Sequence, residues 1–151
     1  MEQRMSNPAT TVPGAMQGLL GISKAIENGG LPATIRNMVN LRASQINGCS
    51  VCVYSHANDM KKAGESDERI FAVGAWHDAP FFSDAERAAL ALTEAVTRLS
   101  DRADAVPNAI WNDAKVHFDE SNLSALVLSI GLINVWNRLN VTTKQVAGAA
   151  W

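Results

Sequence analysis

The sequence predicts an all-α protein of about seven helices folded as a single domain. Its 151 residues fall within the usual size of one domain, and its 47% apolar and 19% charged residues are typical of a globular chain. Apolar residues recur three and four positions apart, as on one face of a helix, and glycine and proline interrupt this pattern at intervals. No internal repeat, low-complexity block or linker indicates a second domain.

Glycine and proline delimit the first two predicted helices. Apolar residues from Met16 to Ile26 have the spacing of a helix that begins near Pro13 and ends before Gly29-Gly30. Pro32 suits the first turn of a second helix, because its fixed φ is helical and its missing N–H is not needed there. We expect this second helix to end at Asn47-Gly48.

Charge and capping preferences define the third and fourth helices. The third is predicted from about Cys49 to Ala63, with Lys61-Lys62 in the last turn, where the helix dipole favours cations. Ser66 is a typical N-cap for the fourth helix. We expect the buried side of the fourth helix to carry Ile70, Phe71, Val73 and Trp76.

The fifth and sixth helices have equally local signals. Ser83-Asp84-Ala85-Glu86 fits the capping box, in which the serine and glutamate side chains each satisfy a free backbone N–H at a helix start. The fifth helix should therefore begin at Ser83 and continue through Leu99. Pro107 is expected to begin the sixth helix, which extends to Phe118.

The stretch from Asn122 to Asn137 contains no charged residue and predicts a seventh, central and buried helix. It is rather short for a bilayer, and polar residues interrupt it, so no membrane partner is expected. The segment Val141 to Trp151 has a short β-prone run that no local rule turns into a stable element. We expect a core of about residues 14–140, with terminal tails that are loose or dock on another subunit.

The charge balance argues against nucleic acid as a partner. Thirteen Lys and Arg against fifteen Asp and Glu leave a net charge of −2, without the basic excess that phosphate neutralisation requires. Residues Met1 to Thr11 have no apolar segment of a secretory signal, so a cytoplasmic location is expected. In that reducing compartment, two neighbouring cysteines are more typical of catalysis or metal binding than of a permanent disulfide.

Cys49, Cys52 and His56 form the chemically distinctive pattern of the chain. At roughly 100° per residue, the three side chains fall within about 60° of one another on a helix surface. Cys49 stands at the predicted helix start, where free N–H groups and the helix dipole lower a thiol pKa. The spacing of Cys52 and His56 lets the imidazole take the thiol proton, and the nearby cysteine can resolve a sulfenic acid.

Two other interpretations of this pattern remain open. Both cysteines can be small buried apolar residues beside an ordinary surface histidine. A zinc site would need a fourth ligand; His77 and His117 are present, but no second paired motif accompanies the first. Redox chemistry of a dithiol is the interpretation that the clustered histidine favours.

The stretch Leu41 to Cys52, followed by His56, resembles the signature of the carboxymuconolactone decarboxylase superfamily, specifically its alkylhydroperoxidase D-like branch. The resemblance covers roughly residues 14–140, with the cysteine motif as its specific part. Shorter segments similar to small members of that branch are Ala75-Trp76, Ala79 to Phe82, Glu86 to Ala91 and Ile133 to Arg138.

The resemblance implies an all-helical fold, assembly as homo-trimers or homo-hexamers, and cysteine-based peroxidase or disulfide-reductase activity without a metal, haem or other cofactor. It also implies that Cys52 attacks the peroxide, that Cys49 resolves it and that His56 belongs to a proton relay. The lactone decarboxylases of the superfamily lack the cysteine pair, so its presence argues against that reaction. The electron donor implied is a dithiol that the sequence does not identify.

One position departs from the family pattern. The relay of the family includes a glutamate twelve residues before the first motif cysteine, and this chain has Asn37 there, which cannot act as a base. Glu94 is the candidate replacement, since it lies in an otherwise apolar run where a charge needs a partner. The alternative is that Glu94 is a solvated or capping glutamate.

The sequence therefore predicts an all-α thiol oxidoreductase that reduces a hydroperoxide or disulfide through Cys52 and Cys49, with His56 activating the thiolate. The competing hypothesis is a non-catalytic oligomeric protein whose dithiol senses redox state or whose site binds a small molecule. Turnover with hydroperoxide and a dithiol distinguishes the two.

Overall fold

The computed structural model describes residues 2–149, which form eight α-helices and two short 3-10 turns. The all-α prediction is confirmed, and the helix beyond the predicted seven is a single turn near the N-terminus. In chain order the helices are α1 (Pro8–Thr11), α2 (Ala15–Asn28), α3 (Ala33–Ile46), α4 (Ser50–Lys62), α5 (Asp67–Ala72), α6 (Asp84–Thr97), α7 (Asn108–His117) and α8 (Glu120–Thr143). The 3-10 turns are Val73–Ala75 and Leu99–Asp101.

The predicted helix boundaries rest on caps that the structure contains. Ser83 Oγ accepts from the Glu86 N–H, and the Glu86 carboxylate accepts from the Ser83 N–H at 2.8 Å, so both halves of the capping box are present. Ser66 Oγ caps α5 by accepting from the Arg69 N–H, without the reciprocal carboxylate. Because each cap satisfies free N–H groups at a helix start, these short motifs place the helices well.

The main core lies where α8 meets α3 and α6. Val39, Leu92, Leu126 and Ile130 are each 0% exposed and belong to one apolar cluster, with α2 and α7 packed at its edges. α2 approaches α8 closely at Gly29, where a Cβ would lie 2.8 Å from that of Ala125. A second cluster fills the space among α3, α4, α5 and α6; its fully buried members include Met38, Leu41, Met60, Val73 and Leu90.

Phe71 contradicts the expectation that it faces the core. Its side chain is 78% exposed, whereas Ile70 and Val73 are buried and Trp76 is 4% exposed. The helix α5 ends at Ala72 and the chain tightens into a 3-10 turn, so residues three apart share one face. Phe71 falls outside that Ile70, Val73, Trp76 face and points to solvent.

The C-terminal helix is longer than predicted. α8 continues to Thr143 through the β-prone residues from Val141, and Lys144 ends it with a left-handed φ of 53°. Contacts from the N-terminal segment hold this last part: Arg4 N–H donates to Thr143 O, and the buried Asn7 donates to Asn140. Tertiary contacts therefore override the weak local propensity. Ala150 and Trp151, in the predicted tail, lie outside the described residues.

α8 is central, contacting α2, α3, α4, α6 and α7, but it is not buried on all sides. Three of its large apolar side chains are between 42% and 50% exposed: Leu128, Val135 and Val141. Within residues 2–149, no helix is both long enough and apolar enough to cross a bilayer.

Candidate functional site

The cysteine pair lies at the junction of α3 and α4. Gly48 adopts a φ of +66°, which favours glycine, and this turn separates the two helices. Cys49 is the N-cap of α4, and its Sγ accepts from the Cys52 N–H at 3.4 Å. Cys52 lies in the first turn of α4, so the two sulfurs face each other at 2.6 Å. The side chains sit in a small apolar cluster with Ala43, Val51 and Ile133.

The contact between the sulfurs makes the two thiols unequal. Cys49 donates its S–H to Cys52, and this hydrogen bond is the largest influence that lowers the pKa of Cys52 to about 6, against the opposing effect of burial. The same hydrogen bond, followed by burial, raises the pKa of Cys49 far above its ordinary value. The proton therefore stays on Cys49, and Cys52 is the sulfur that carries the negative charge near neutral pH.

Amide groups from α8 surround Cys52. Asn140 Nδ2 donates to Cys52 Sγ at 3.2 Å, and the Asn140 side-chain oxygen accepts from Asn7 Nδ2 at 2.7 Å, which fixes the orientation of the amide. Hydrogen bonds from Asn140, Asn137 and Ser44 also lower the pKa of Cys52. Asn137 is itself held, since it donates to Ser44 Oγ at 3.0 Å and accepts from Asn47 at 2.8 Å.

His56 lies one turn after Cys52 on α4 and lines a pocket of about 260 Å³ with it. Burial lowers the pKa of His56 below its ordinary value; the Asp59 carboxylate raises it and the Arg36 guanidinium lowers it further. The buried Nδ1 of His56 has no hydrogen-bond partner among residues 2–149, and Asp59 Oδ2 lies 3.9 Å from it. His56 is thus a neutral imidazole that can accept a proton.

Asn37, at the family's relay position, also comes close to His56. Both side chains line a second pocket of about 220 Å³, to which Arg36 and Glu27 contribute. The two carboxylates in reach of this region, Asp59 and Glu27, are about half exposed. The structure therefore places the amide of Asn37 in the same pocket as His56, at a position where the resemblance implies a carboxylate.

Glu94 lies in a different group of side chains. Its Oε1 accepts from Trp76 Nε1 at 2.8 Å and is 2.6 Å from Arg42 Nη2, while Oε2 is 3.6 Å from Arg98 and 3.8 Å from His77. Burial raises the pKa of Glu94, but the hydrogen bonds from Trp76 and Arg42 outweigh it, and the pKa lies below its ordinary value. The structure does not bring Glu94 into contact with Cys49, Cys52 or His56.

Four residues of the site were not among the sequence candidates. Asn140 and Asn7 carry no local signal, because Asn140 lies 88 positions from Cys52 and meets it only through packing, and Asn7 reaches the site through its hydrogen bond to Asn140. Trp136 lines both pockets beside His56. Asp59 had a usable signal, since a carboxylate three positions after a histidine lies on the same helix face.

The part of the chain that the structure describes offers no complete set of zinc ligands, because no three His, Cys, Asp or Glu side chains there are grouped to hold a metal ion. His77, one of the possible fourth ligands, stacks on Trp76 with ring centroids 3.6 Å apart and lies next to Glu94. The arrangement at Cys49 and Cys52 is that of a buried dithiol with one acidic sulfur.

Comparison with known proteins agrees with the residues that carry the motif. Residues 13–95 match the carboxymuconolactone decarboxylase family. The chain belongs to this family. It is 34% identical over 141 residues to the uncharacterized protein YdfG of Bacillus subtilis (strain 168), covering 93% of this chain and 94% of YdfG. The family assignment made from the sequence is confirmed.

Two solved structures of similar fold differ in their sequence identity to this chain. A protein of unknown function from Agrobacterium tumefaciens, suggested to be the antioxidant defence protein AhpD, is 28% identical, with a TM-score of 0.90 over 99% of this chain and 100% of that one. The debrominase Bmp8 in complex with 2,3,4-tribromopyrrole is 17% identical, with a TM-score of 0.78 over 93% of this chain and 74% of that one. The second likeness concerns the fold alone.

Proposed function

We propose that the protein is a cysteine-based peroxidase that reduces hydroperoxides through Cys52 and is restored by a dithiol donor. The observation that carries the proposal is the sulfur pair at 2.6 Å, in which Cys49 holds the proton and the pKa of Cys52 falls to about 6. A thiolate present at neutral pH beside a second thiol is the starting state for peroxide reduction and resolution. The similarity to the Agrobacterium tumefaciens protein that is suggested to act in antioxidant defence supports a role of this kind.

The proposed reaction uses one sulfur for each step. The Cys52 thiolate attacks the hydroxyl oxygen of the hydroperoxide, the O–O bond breaks, and Cys52 becomes a sulfenic acid as the alkoxide leaves. The alkoxide takes up a proton to give the alcohol, and His56, the neutral imidazole that shares a pocket with Cys52, relays this proton from solvent. Cys49 then attacks the Cys52 sulfur, water leaves, and a disulfide remains.

A donor must then return two electrons and two protons to this disulfide. The proposal requires a dithiol donor, since the two sulfurs of such a donor can form their own disulfide after reducing the protein. The same chemistry run on an external disulfide would make the protein a disulfide reductase. Stoichiometric oxidation by hydroperoxide, as opposed to oxidation by disulfides alone, separates these two activities.

The test is a single-turnover experiment on the reduced protein. One equivalent of an organic hydroperoxide should yield one equivalent of alcohol and a protein mass lower by two protons, and dithiothreitol should restore the mass. In Cys49→Ser, the sulfenic acid should persist and be trapped by dimedone at Cys52. Unchanged protein with no alcohol formed, or protein that is only overoxidised or intermolecularly linked, would refute the proposal.

A redox sensor without turnover is the second candidate. The observation that favours it is burial: Cys49 is 1% exposed and Cys52 5% exposed, which limits access of substrates to both sulfurs. A sensor would oxidise once and change its assembly or shape, whereas a peroxidase would consume many equivalents of hydroperoxide while dithiothreitol is supplied. Multiple-turnover consumption therefore decides between the candidates.

We also propose that the protein is a homo-oligomer, a trimer or hexamer as the family resemblance implies. Leu128 and Val135 of α8 are 50% and 42% exposed although they are large apolar residues, which suits a surface that another copy covers. Light scattering at micromolar concentration should give a mass several times the 16.2 kDa of one chain. A mass near that of a single chain would refute this proposal.

A further inference from the structure

The two cysteines line different pockets. Cys52 contributes to the 260 Å³ pocket with Met16, His56, Ile133 and Trp136, and Cys49 is not among its lining residues. Cys49 contributes to another pocket, of about 300 Å³, with Gly48, Ser50, Val141, Lys144 and Gln145, and Cys52 is not among those. We name these the His56 pocket and the Lys144 pocket. Val51 and Asn140 line both pockets.

The geometry of thiol–disulfide exchange indicates what two separate pockets can do. A thiolate attacks a disulfide sulfur from the side opposite the sulfur that leaves, so an attack on Cys49 must come from the side away from Cys52. The Lys144 pocket meets Cys49 without including Cys52, as this approach requires. The His56 pocket meets Cys52 and offers the corresponding approach for the hydroperoxide.

We propose that the Lys144 pocket is the binding site of the dithiol reductant, whose thiolate attacks Cys49 of the oxidised protein while the hydroperoxide uses the His56 pocket. This inference rests on the proposed peroxidase function. One donor thiolate forms a bond to Cys49 Sγ, the Cys49–Cys52 bond breaks, and Cys52 leaves as a thiolate. The second donor sulfur, as a thiolate after losing its proton, attacks the first donor sulfur and closes the donor disulfide, and Cys49 leaves and takes up a proton.

The chemistry of the two sulfurs supports this direction of attack. The sulfur with the lower pKa leaves faster in thiol–disulfide exchange, and the pKa of Cys52 is lowered to about 6 whereas that of Cys49 is raised. Asn140 donates to Cys52 Sγ at 3.2 Å and stabilises the departing thiolate. Attack on Cys52 would instead release the sulfur that holds its proton most tightly.

Lys144 contributes a positively charged side chain to the lining of this pocket. It is exposed, and its left-handed backbone at the end of α8 places it beside Gln145 on the pocket wall. An ammonium group at this position favours an incoming thiolate over the neutral thiol. A small dithiol and a protein dithiol share this chemistry, so both are candidates for the donor.

The experiment measures the reduction of the protein disulfide separately from the reduction of hydroperoxide. Protein oxidised with diamide, so that no peroxidase activity is needed, is mixed with dithiothreitol, and its free thiols are counted over time. In Val141→Trp, the indole should fill the Lys144 pocket and slow reduction about tenfold. The matched control is Val116→Trp, the same substitution at a 79% exposed position of α7 that lines neither pocket, which should reduce at the rate of the parent protein.

The attacked sulfur is identified by trapping. Diamide-oxidised protein is exposed briefly to glutathione, quenched with N-ethylmaleimide and mapped by mass spectrometry. Glutathione on Cys49 with maleimide on Cys52 supports the proposal, and the reverse arrangement overturns it. Reduction of Val141→Trp at the parent rate also overturns it, and Lys144→Glu, expected to slow reduction several-fold, provides a second variant if Val141→Trp folds poorly.

Repeating the measurement with reduced thioredoxin distinguishes the sources of the dithiol. A rate with thioredoxin well above that with dithiothreitol, and slowed in Val141→Trp, indicates a protein donor; the opposite order indicates a small one. If reduced protein fails to consume hydroperoxide but these reduction results hold, the peroxidase function falls and the reductant site stands.

Discussion

Two partly buried groups of polar side chains stabilise a negative charge in this molecule, and they do so by different means. At the cysteine pair, neutral groups surround Cys52: a thiol hydrogen bond from Cys49 and an amide hydrogen bond from Asn140. At Glu94, the charge of Arg42 lies 2.6 Å from the carboxylate and an indole N–H adds a hydrogen bond. The first group contains no cation, whereas the second is an ion pair.

The difference determines which group can take part in proton and electron transfer. The pKa of Cys52, about 6, lies close to neutral pH, where a thiolate combines availability with nucleophilicity. The Glu94 carboxylate, with its pKa below the ordinary value, stays ionised and is a poor base at that pH. We therefore expect the cysteine group to carry chemistry and the Glu94 group to carry stability.

The largest expected effect is the loss of peroxide reduction in Cys52→Ser. A serine hydroxyl is not ionised at neutral pH, so the single-turnover rate with hydroperoxide should fall by about a thousandfold or more. Cys49→Ser should keep the first oxidation step but lose the disulfide. Stopped-flow consumption of hydroperoxide measures both variants; a rate that survives in Cys52→Ser and vanishes in Cys49→Ser would exchange the roles of the two sulfurs.

The next effect is on stability, in Glu94→Gln. The change leaves the Arg42 guanidinium, whose side chain is only 14% exposed, without its anion, and should cost about 3 kcal/mol in the free energy of unfolding. Urea unfolding of the reduced protein measures it, with Asp104→Asn, an exposed carboxylate, as the control. The thiolate absorbance titration should be unchanged. A higher thiol pKa and slower peroxide reduction would instead place Glu94 in the relay.

The sequence predicts the cysteine motif and His56 better than it predicts the side chains that surround them. The Cys-x-x-Cys and His56 spacing and the Ser83 capping box depend on residues within one or two turns, so local rules suffice. Asn140 acts on Cys52 across 88 positions, and Glu94 meets Arg42 across 52, so both depend on how helices pack. An isolated charge in an apolar run predicted that Glu94 needs a partner, but not which one.

A smaller effect is expected when the amide beside Cys52 becomes a carboxylate. Asn140→Asp keeps the oxygen that accepts from Asn7 but replaces the donor to Cys52 with a negative charge, so the pKa of Cys52 should rise by at least about one unit. In the parent protein, peroxide reduction should increase as pH rises through about 6 and level off above it, because Cys52 reacts as the thiolate. In the variant this rise should occur at higher pH.

The pH profile of Asn140→Asp is compared with that of Asn112→Asp, which places the same charge on an exposed position of α7. An unchanged profile in Asn140→Asp would mean that the amide contributes nothing to the thiolate. The Cys49 hydrogen bond would then be the main source of the acidity of Cys52.

The smallest expected effect concerns the carboxylate beside His56. Asp59 lies 3.9 Å from Nδ1 and raises the pKa of His56 against the stronger effect of burial, but it is 47% exposed, so solvent screens much of its charge. Asp59→Asn should lower the pKa of His56 and slow hydroperoxide reduction by about two- to threefold. Asn37→Glu adds a carboxylate to the pocket that His56 lines and should act in the opposite direction, raising the pKa and the rate.

Proton NMR titration of the His56 ring measures its pKa in each variant, with the ring of His117 at the end of α7 as the reference signal in the same sample. If His56 is the base that relays protons at Cys52, the pKa and the rate must move together in the two variants, because each unit of pKa is worth a tenfold change in the proton-transfer equilibrium. A pKa that moves while the rate does not would leave His56 as a wall of the pocket. The reactivity of Cys52 would then depend on neutral hydrogen-bond donors alone, whereas the Glu94 carboxylate is stabilised by the charge of Arg42.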